Sequence, residues 1–317
     1  MGGKILINTL SNRKIMDQKI FADLHNHTIA SDGDFTPEQL IGLAKAVGIK
    51  AIGITDHDTL KGLKNAVLTG IKYNIEVIPG VEVSIRFKLP FFTGTLHLLC
   101  YFKQGRLLEN HFVEEFQNIL AQGRGKTLVK ARVDEINKNF GPFGKKVLLK
   151  RDMVFEDIEA FSRNATRRHF AMAINKIFGI EDADTINTII GNQSPAYLPS
   201  GIKLEDMIPF IRKNDLLTVL AHPAAGSFTG PGHYKEVLPP IEIVKQILPQ
   251  FIKAGMKGLE VYYPGHIKEH RDLMKSWAKK HDLIITGGSD CHDGMERPLG
   301  VCGLSESEYI IFKESLA

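Results

Sequence analysis

Seven short apolar runs constrain the fold of this chain more than any other feature. They lie at 20–24, 51–55, 76–84, 95–102, 216–220, 258–262 and 283–286. Each has the length of a strand, and helical patterns separate most of them, which is the arrangement of a parallel sheet or barrel. Thr36-Pro37-Glu38-Gln39 reads as a capping box with proline at the first helical position, opening a helix that Gly48 closes. Thr59 is expected to cap a second helix reaching about Asn74. Later helices are expected at 266–280 and at 241–254, where Ile243, Val244, Ile247, Leu248, Phe251 and Ile252 make one apolar stripe. Between Phe102 and Leu216 the strand rhythm stops, over a span far longer than ordinary α/β connections. Candidate helices there are 107–121, 126–139, 152–161, 166–178 and 183–190. The expected fold is therefore α/β, a barrel from 1–102 and 216–317 with a mostly helical lobe, 103–215, inserted to help bind substrate. Residues 1–19 form a leading segment with no pattern beyond Ile5-Leu6-Ile7.

Chemistry-bearing residues stand at or near the end of every strand. The first run leads into Asp23-Leu24-His25-Asn26-His27-Thr28, with Asp32 in the following loop. Histidines two apart on an extended strand share a face and can grip one ion together. The second run leads into Asp56-His57-Asp58, the third contains Glu82 and the fourth His97. The fifth ends in Ala221-His222-Pro223, the sixth carries Glu260, and the seventh runs into Gly288-Ser289-Asp290-Cys291-His292. In folds of this class functional residues gather at the carboxyl ends of strands. His25, His27, Asp32, His57, Glu82, His97, His222, Asp290 and His292 are too many ligands for one ion and suit two or three. Mixed imidazole and carboxylate ligation favours Zn, Mn or Fe over Ca or Mg. Cys291, between two of these residues, should face the other way and pack.

Composition narrows the setting. A net charge of +4 on 317 residues does not by itself argue for nucleic acid. No apolar run is long enough to span a bilayer, and the start lacks a signal-peptide pattern. Three cysteines without Cys-x-x-Cys spacing fit a reducing compartment, so a cytoplasmic protein is expected.

The motifs quoted above, with Thr55-Asp56-His57-Asp58 and Pro79-Gly80-Val81-Glu82, resemble the polymerase-and-histidinol-phosphatase (PHP) superfamily of metal-dependent phosphoesterases. Tyr262-Tyr263-Pro264-Gly265-His266 and Thr286-Gly287-Gly288-Ser289-Asp290 are similar to its stand-alone bacterial branch. That branch includes nucleoside 3′,5′-bisphosphate phosphatases, 5′-to-3′ exoribonucleases and a cyclic-phosphate dihydrolase. The resemblance implies a distorted (β/α)7 TIM-like barrel and three divalent ions, with manganese for activity and zinc or iron as alternatives. One ion would take His25, His27, Asp290 and a bridging Glu82. A second would share Glu82 and add His97 and His222, and a third would take Asp32, His57 and His292. Hydroxide between two ions would attack phosphorus in line, and Asp290 could move its proton.

In the same branch Thr166-Arg167-Arg168-His169-Phe170-Ala171 matches a Ser-Arg-x-His-Phe-Ala pattern whose Arg and His reach phosphate. Arg167, Arg168 and His169, with the preceding Arg163, are thus expected near substrate, as is His266. His111, His233, His270 and His281 are read as ordinary surface residues. Ala224-Ala225-Gly226 replaces the Gly-Arg expected after Ala-His-Pro, leaving one phosphate contact to another loop. The expected substrate is a small nucleotide or the 5′ end of short RNA, with no membrane and no obligate protein partner. Alternatives are histidinol-phosphate phosphatase, cyclic-phosphate hydrolase on the same metals, and an amidohydrolase, which would want a strand-end lysine.

Overall fold

The computed structural model describes residues 19–316 apart from 163, 229–237 and 296. The expectations for the leading segment, Arg163 and His233 thus lie wholly or almost wholly outside the described residues. Seven strands form one sheet in chain order: β1 (Ala22–Asp23), β2 (Ala51–Ile54), β3 (Glu76–Leu89), β4 (Phe92–Tyr101), β5 (Leu217–Leu220), β6 (Gly258–Tyr262) and β7 (Ile284–Gly287). Beyond the paired strands, Leu24 N–H donates to Gly287 O at 3.2 Å and His27 N–H to Cys291 O at 2.9 Å, nearly closing the sheet into a barrel. Strands β2, β5 and β6 are short and wholly buried, as expected where both faces are covered.

The sheet departs from a parallel barrel at β4, which runs antiparallel to both β3 and β5. The cause is local: only Pro90 and Phe91 join β3 to β4, too few residues for a helical crossover. The resulting hairpin places His97 opposite Ser84, two residues beyond Glu82. The remaining pairs are parallel.

Helix α1 (Pro37–Val47) has the expected capping box, Thr36 with Gln39, and Gly48 ends it in the left-handed conformation at φ 86°. Helix α2 (Leu63–Tyr73) begins later than expected, because Gly62, also at φ 86°, interrupts the helical path. Thr59 instead accepts from Lys61 N–H in a local turn. Helix α3 (Asn110–Ala121) is followed by α4 (Lys126–Phe140), α5 (Phe155–Glu159), α6 (Arg167–Lys176), α7 (Ala183–Ile190) and α8 (Leu204–Asn214). Then come α9 (Ile241–Ala254), α10 (Lys268–His281) and α11 (Glu306–Ser315).

The long helical stretch divides by what it packs against. Phe112 and Phe116 of α3 and Met207 and Phe210 of α8 join the barrel core. A second core runs from Val129 to Ala196 and includes Val133, Ile136, Phe140, Phe170 and Ile174. Burying such a side chain contributes about 1.5–3 kcal/mol, so each core can hold its own elements together. Helix α8 has no counterpart among the expected helices; Pro209 within it reads as a breaker, although Leu204, Met207, Phe210 and Ile211 share its buried face.

Candidate metal centre and substrate cavity

Glu82 lies at the centre of the site. It is almost fully buried on β3, and five imidazoles surround its carboxylate. Oε2 lies 3.2 Å from His25 Nε2, 3.0 Å from His27 Nε2 and 3.1 Å from His57 Nδ1. Oε1 lies 3.0 Å from His97 Nδ1 and 2.9 Å from His222 Nε2. Asp290 Oδ1 stands 3.4 Å from His25 Nε2 and 3.2 Å from His27 Nε2. Asp32 Oδ1 stands 3.3 Å from His292 Nε2, and its Oδ2 lies 4.0 Å from His57 Nε2. All nine residues expected as ligands from the strand ends therefore meet in one cluster. His57 lies between the Asp32 and Glu82 groups, with one ring nitrogen toward each.

Three devices position these side chains. First, Gly288 lets β7 pass against β1: a Cβ there would meet His25 Cβ at 2.5 Å. Second, Asp58, His222 and Asp290 adopt left-handed backbone at φ 49°, 30° and 53°. Such strain costs on the order of 1–3 kcal/mol per residue and needs local support. Asp58 has it from Ser84 N–H and Oγ–H and from Arg124, and Asp290 from Tyr263 O–H and Arg297. Third, carboxylates outside the cluster orient the rings. Glu260 accepts from His25 Nδ1 at 3.0 Å and from His222 N–H at 2.8 Å. Asp56 accepts from Thr28 N–H, Thr28 O–H and Ser31 O–H at 2.6–2.7 Å. Asp23 accepts from Ser289 N–H and O–H and from Gly300 N–H, tying β1 to the β7 loop.

These bonds decide which ring nitrogens point lone pairs into the site. With Nδ1–H donating to Glu260, His25 Nε2 turns a lone pair toward Glu82 and Asp290. His292 Nδ1 lies 2.9 Å from Asp290 O and 3.0 Å from Arg297 Nη1, and its Nε2 faces Asp32. Asp32 Oδ1, His57 Nδ1 and Glu82 Oε2 are buried without a hydrogen-bond donor. Acceptors facing acceptors repel unless a cation lies between them, and separations near 3.4 Å suit donors sharing one coordination sphere at about 2.1 Å from an ion. The donor set fits divalent metal. Three overlapping groups could each hold an ion: His25, His27, Glu82 and Asp290; His57, Glu82 and His97; and His27, Asp32, His57 and His292.

The imidazoles and carboxylates of the cluster shift one another. Burial opposes charge on His25 and His27, yet the neighbouring carboxylates push His25 well above its usual range and His27 to about 10. Burial alone would raise Asp32 and Glu82, but the surrounding imidazoles hold both well below the usual carboxylate range. His57 goes the other way, its burial outweighing the carboxylates.

A cavity of about 920 Å³ opens over the cluster and runs into the helical lobe. Arg167 and Arg168 line it; Arg167 donates to Asn187 Oδ1, and Arg168 to Asp32 O and Asp34 Oδ1. His169 turns back along its helix, where its Nδ1 accepts from Thr166 N–H at 3.0 Å. His266 is buried away from the cavity, its Nδ1 bonded to Val261 O and its Nε2 accepting from Ala224 N–H. Both ring nitrogens are thus engaged with backbone, and His266 buttresses the His222 loop instead of facing substrate. Sequence reasoning passed over Arg124, Arg132 and Arg297, all on the cavity wall. Arg297, in the loop after β7, donates to Asp290 Oδ2 at 3.0 Å. Cys291 packs inward, fully buried, as expected.

Comparison with known proteins shows what the chain is similar to. Residues 23–146 match the PHP domain. A 5′-3′ exoribonuclease of Haemophilus influenzae is 26% identical over 85% of this chain and 89% of its own length. A phosphoribosyl 1,2-cyclic phosphate 1,2-diphosphodiesterase of Eggerthella lenta is 24% identical, covering 85% and 93%. A 3′,5′-nucleoside bisphosphate phosphatase of Chromobacterium violaceum is 25% identical, covering 85% and 86%. A solved structure from Bifidobacterium adolescentis, provisionally described as a metal-dependent phosphoesterase, shares the fold. It superposes with a TM-score of 0.71 at 23% identity, over 93% of this chain and 96% of that one. Seven strands thus deliver these ligands to one rim in a chain whose residues 23–146 match the PHP domain and whose fold is that of the Bifidobacterium structure.

Proposed function

We propose that the chain is a metal-dependent phosphoesterase acting on small nucleotides of the 3′,5′-bisphosphate type or on the 5′ end of short RNA. The observation that carries this reading is Glu82, one buried carboxylate among five imidazoles, beneath a cavity walled with arginine. Phosphate-ester hydrolysis needs concentrated positive charge beside a surface that recognises anions. The relatives named for RNA, cyclic-phosphate and bisphosphate substrates support the substrate range.

We assign three ions: one to His25, His27, Asp290 and Glu82, a second to Glu82, His97 and His222, a third to Asp32, His57 and His292. Manganese is assigned for activity, with zinc or iron as alternatives that suit the same donors. Ions held there would acidify water and neutralise charge growing on the phosphate oxygens. The rest is done by the chain. Glu82 offers one oxygen to each of two imidazole groups, which fixes their separation. Burial would raise the Asp290 carboxyl, but Arg297, His25 and His292 hold it well below the usual range. Its main role in this reading is therefore as a fixed negative ligand, with proton transfer secondary. Arg167, Arg168 and Arg297 direct guanidinium groups at the phosphate. No lysine lines the cavity among the described residues, which disfavours an amidohydrolase with a lysine bridge. No helix among them is long and apolar enough to cross a membrane. We place the protein in the cytoplasm, in keeping with three buried, unpaired cysteines.

The test is phosphate release with added Mn²⁺ from adenosine 3′,5′-bisphosphate, a 5′-phosphorylated oligoribonucleotide, a cyclic phosphate and histidinol phosphate. Turnover of the bisphosphate or the RNA supports the reading, and preference for histidinol phosphate replaces it with the runner-up. Cleavage of an amide with no phosphate released overturns it.

A further inference from the structure

The histidines of the cluster are not all aimed in the same way. A ligating imidazole ordinarily turns its second nitrogen to a partner that fixes the ring, as His25 does with Glu260. His57 turns both nitrogens toward the cluster, Nδ1 to 3.1 Å from Glu82 Oε2 and Nε2 to 4.0 Å from Asp32 Oδ2. Its ring is therefore aimed through its backbone, and side chains from the lobe grip that backbone.

Asn164 Nδ2–H donates to His57 O at 2.8 Å. The next residue, Asp58, is left-handed at φ 49°, and Arg124 Nε–H donates to its Oδ2 at 2.5 Å. The same guanidinium donates to Ser84 Oγ at 2.9 Å and to Ala165 O at 3.2 Å, joining the His57 loop to β3 and to the segment before α6. Asp32 is held likewise: Arg168 Nη1–H donates to its carbonyl at 3.1 Å and Nη2–H to Asp34 Oδ1 at 3.0 Å. Asp34 N–H donates in turn to His292 O at 2.7 Å. The carbonyls of Asp32, His57 and His292 are thus all bonded, two of them directly from the lobe. By contrast Glu260, Tyr263 and Arg297, which hold His25, His222 and Asp290, stand on barrel segments. The lobe meets the barrel at the same place. Gly201 N–H donates to Gly123 O at 2.8 Å and Ile202 N–H to Ser84 O at 3.0 Å, so its entering and leaving segments join against β3, two residues past Glu82.

We infer that Arg124, Asn164 and Arg168 are positioning residues that complete the third ion's site, so that Asp32, His57 and His292 bind it tightly only while the lobe is seated on the barrel. This rests on the three-ion assignment above. All nine ligands stay on the barrel; the lobe holds the loops that carry Asp32 and His57. Arg124 and Arg168 also line the cavity, so the third ion and whatever fills the cavity depend on one seating of the lobe.

The experiment is equilibrium dialysis of the chelated, full-length protein against Mn²⁺, read as ions bound per chain across a titration. The wild type should bind three. N164A should keep two at wild-type affinity and weaken one about tenfold or more, the usual cost of losing a hydrogen bond behind a ligand. R168A, which frees the Asp32 carbonyl, should weaken the same ion. H292A, which removes a ligand of the third ion, should bind two, and adding N164A to it should change neither of them. T95V removes a different bond between barrel and lobe, from Thr95 Oγ–H to Ser200 O at 2.8 Å, and should bind three as the wild type does. Three ions at wild-type affinity in N164A or R168A overturn the inference. So does equal weakening of every ion, loss of an ion from T95V, or weakening of the remaining two in the double variant. If N164A does not fold, R168A decides by the same criterion. A wild type that binds two ions or fewer would instead remove the three-ion assignment, and the inference with it.

Discussion

The barrel rim and the helical lobe face the same cavity with opposite physical designs. At the rim, six histidines and three carboxylates are crowded onto strand ends, strained backbone is tolerated at Asp58, His222 and Asp290, and Asp32 Oδ1, His57 Nδ1 and Glu82 Oε2 are buried without a hydrogen-bond donor. In the lobe, a small aliphatic core presents arginines from helices. Strand ends hold donors to fractions of an ångström, which ligation demands. Helices carry long cationic side chains that adapt to a ligand's shape. Under the proposed function, bond breaking belongs to the rim and choice of substrate to the lobe, a division that substitution on either side can break.

The largest effect should follow Glu82→Gln. Losing the central charge should remove bound metal and reduce kcat/KM by about a thousandfold or more, as expected for a bridging ligand. Elemental analysis beside the kinetics checks this; retained metal and activity would show that Glu82 is not the hub. Glu260→Gln should come next. It leaves the ligands in place but loosens His25 and the His222 loop, so metal affinity or activity should fall about 10–100-fold. Equilibrium competition with a chelator measures the affinity, and an unchanged value would deny Glu260 its orienting role.

On the lobe side, Arg167→Ala should raise KM for phosphate substrates about tenfold with metal content intact. Lost metal would mean that the lobe takes part in ligation, and the division of labour would fail. The smallest effect concerns His266. Burial first, and then His222, lower its pKa from 6.5 to about 3, with its backbone bonds opposing. A histidine kept neutral by the fold contributes stability that is complete above pH 6.5 and declines as pH falls toward 3. Replacing His266 with Gln should therefore flatten the fall in unfolding free energy across that interval, as read by denaturant titration at several pH values. An unaltered slope would place the acid sensitivity elsewhere.

Much of this molecule was legible before its coordinates. Strand positions could be read because short apolar runs bounded by turn residues have few other folded solutions. The nine clustered residues could be read because each is tied by chain connectivity to a strand end, and strand ends converge. What could not be read depends on neighbours distant in sequence. His266 and Arg297 show the two kinds of error. Both lie near motif residues, yet one is bonded by backbone on each ring nitrogen and the other reaches Asp290 across a loop. The reversal of β4 was implicit in the short Pro90-Phe91 link, but the helical rhythm on either side concealed it.

The sequence by itself determined the element order, the inventory of ligands and the rim on which they stand, since these follow from local periodicity and chain direction. Only the tertiary structure decided how the ligands group, which ring nitrogens point inward and which arginines see the cavity. Those outcomes rest on hydrogen bonds between distant residues, such as Asp23 with Ser289, 266 positions apart. The same holds for Asp23-Leu24-His25-Asn26-His27. Its spacing marked a metal grip, while Glu260, far along the chain, set how His25 is turned.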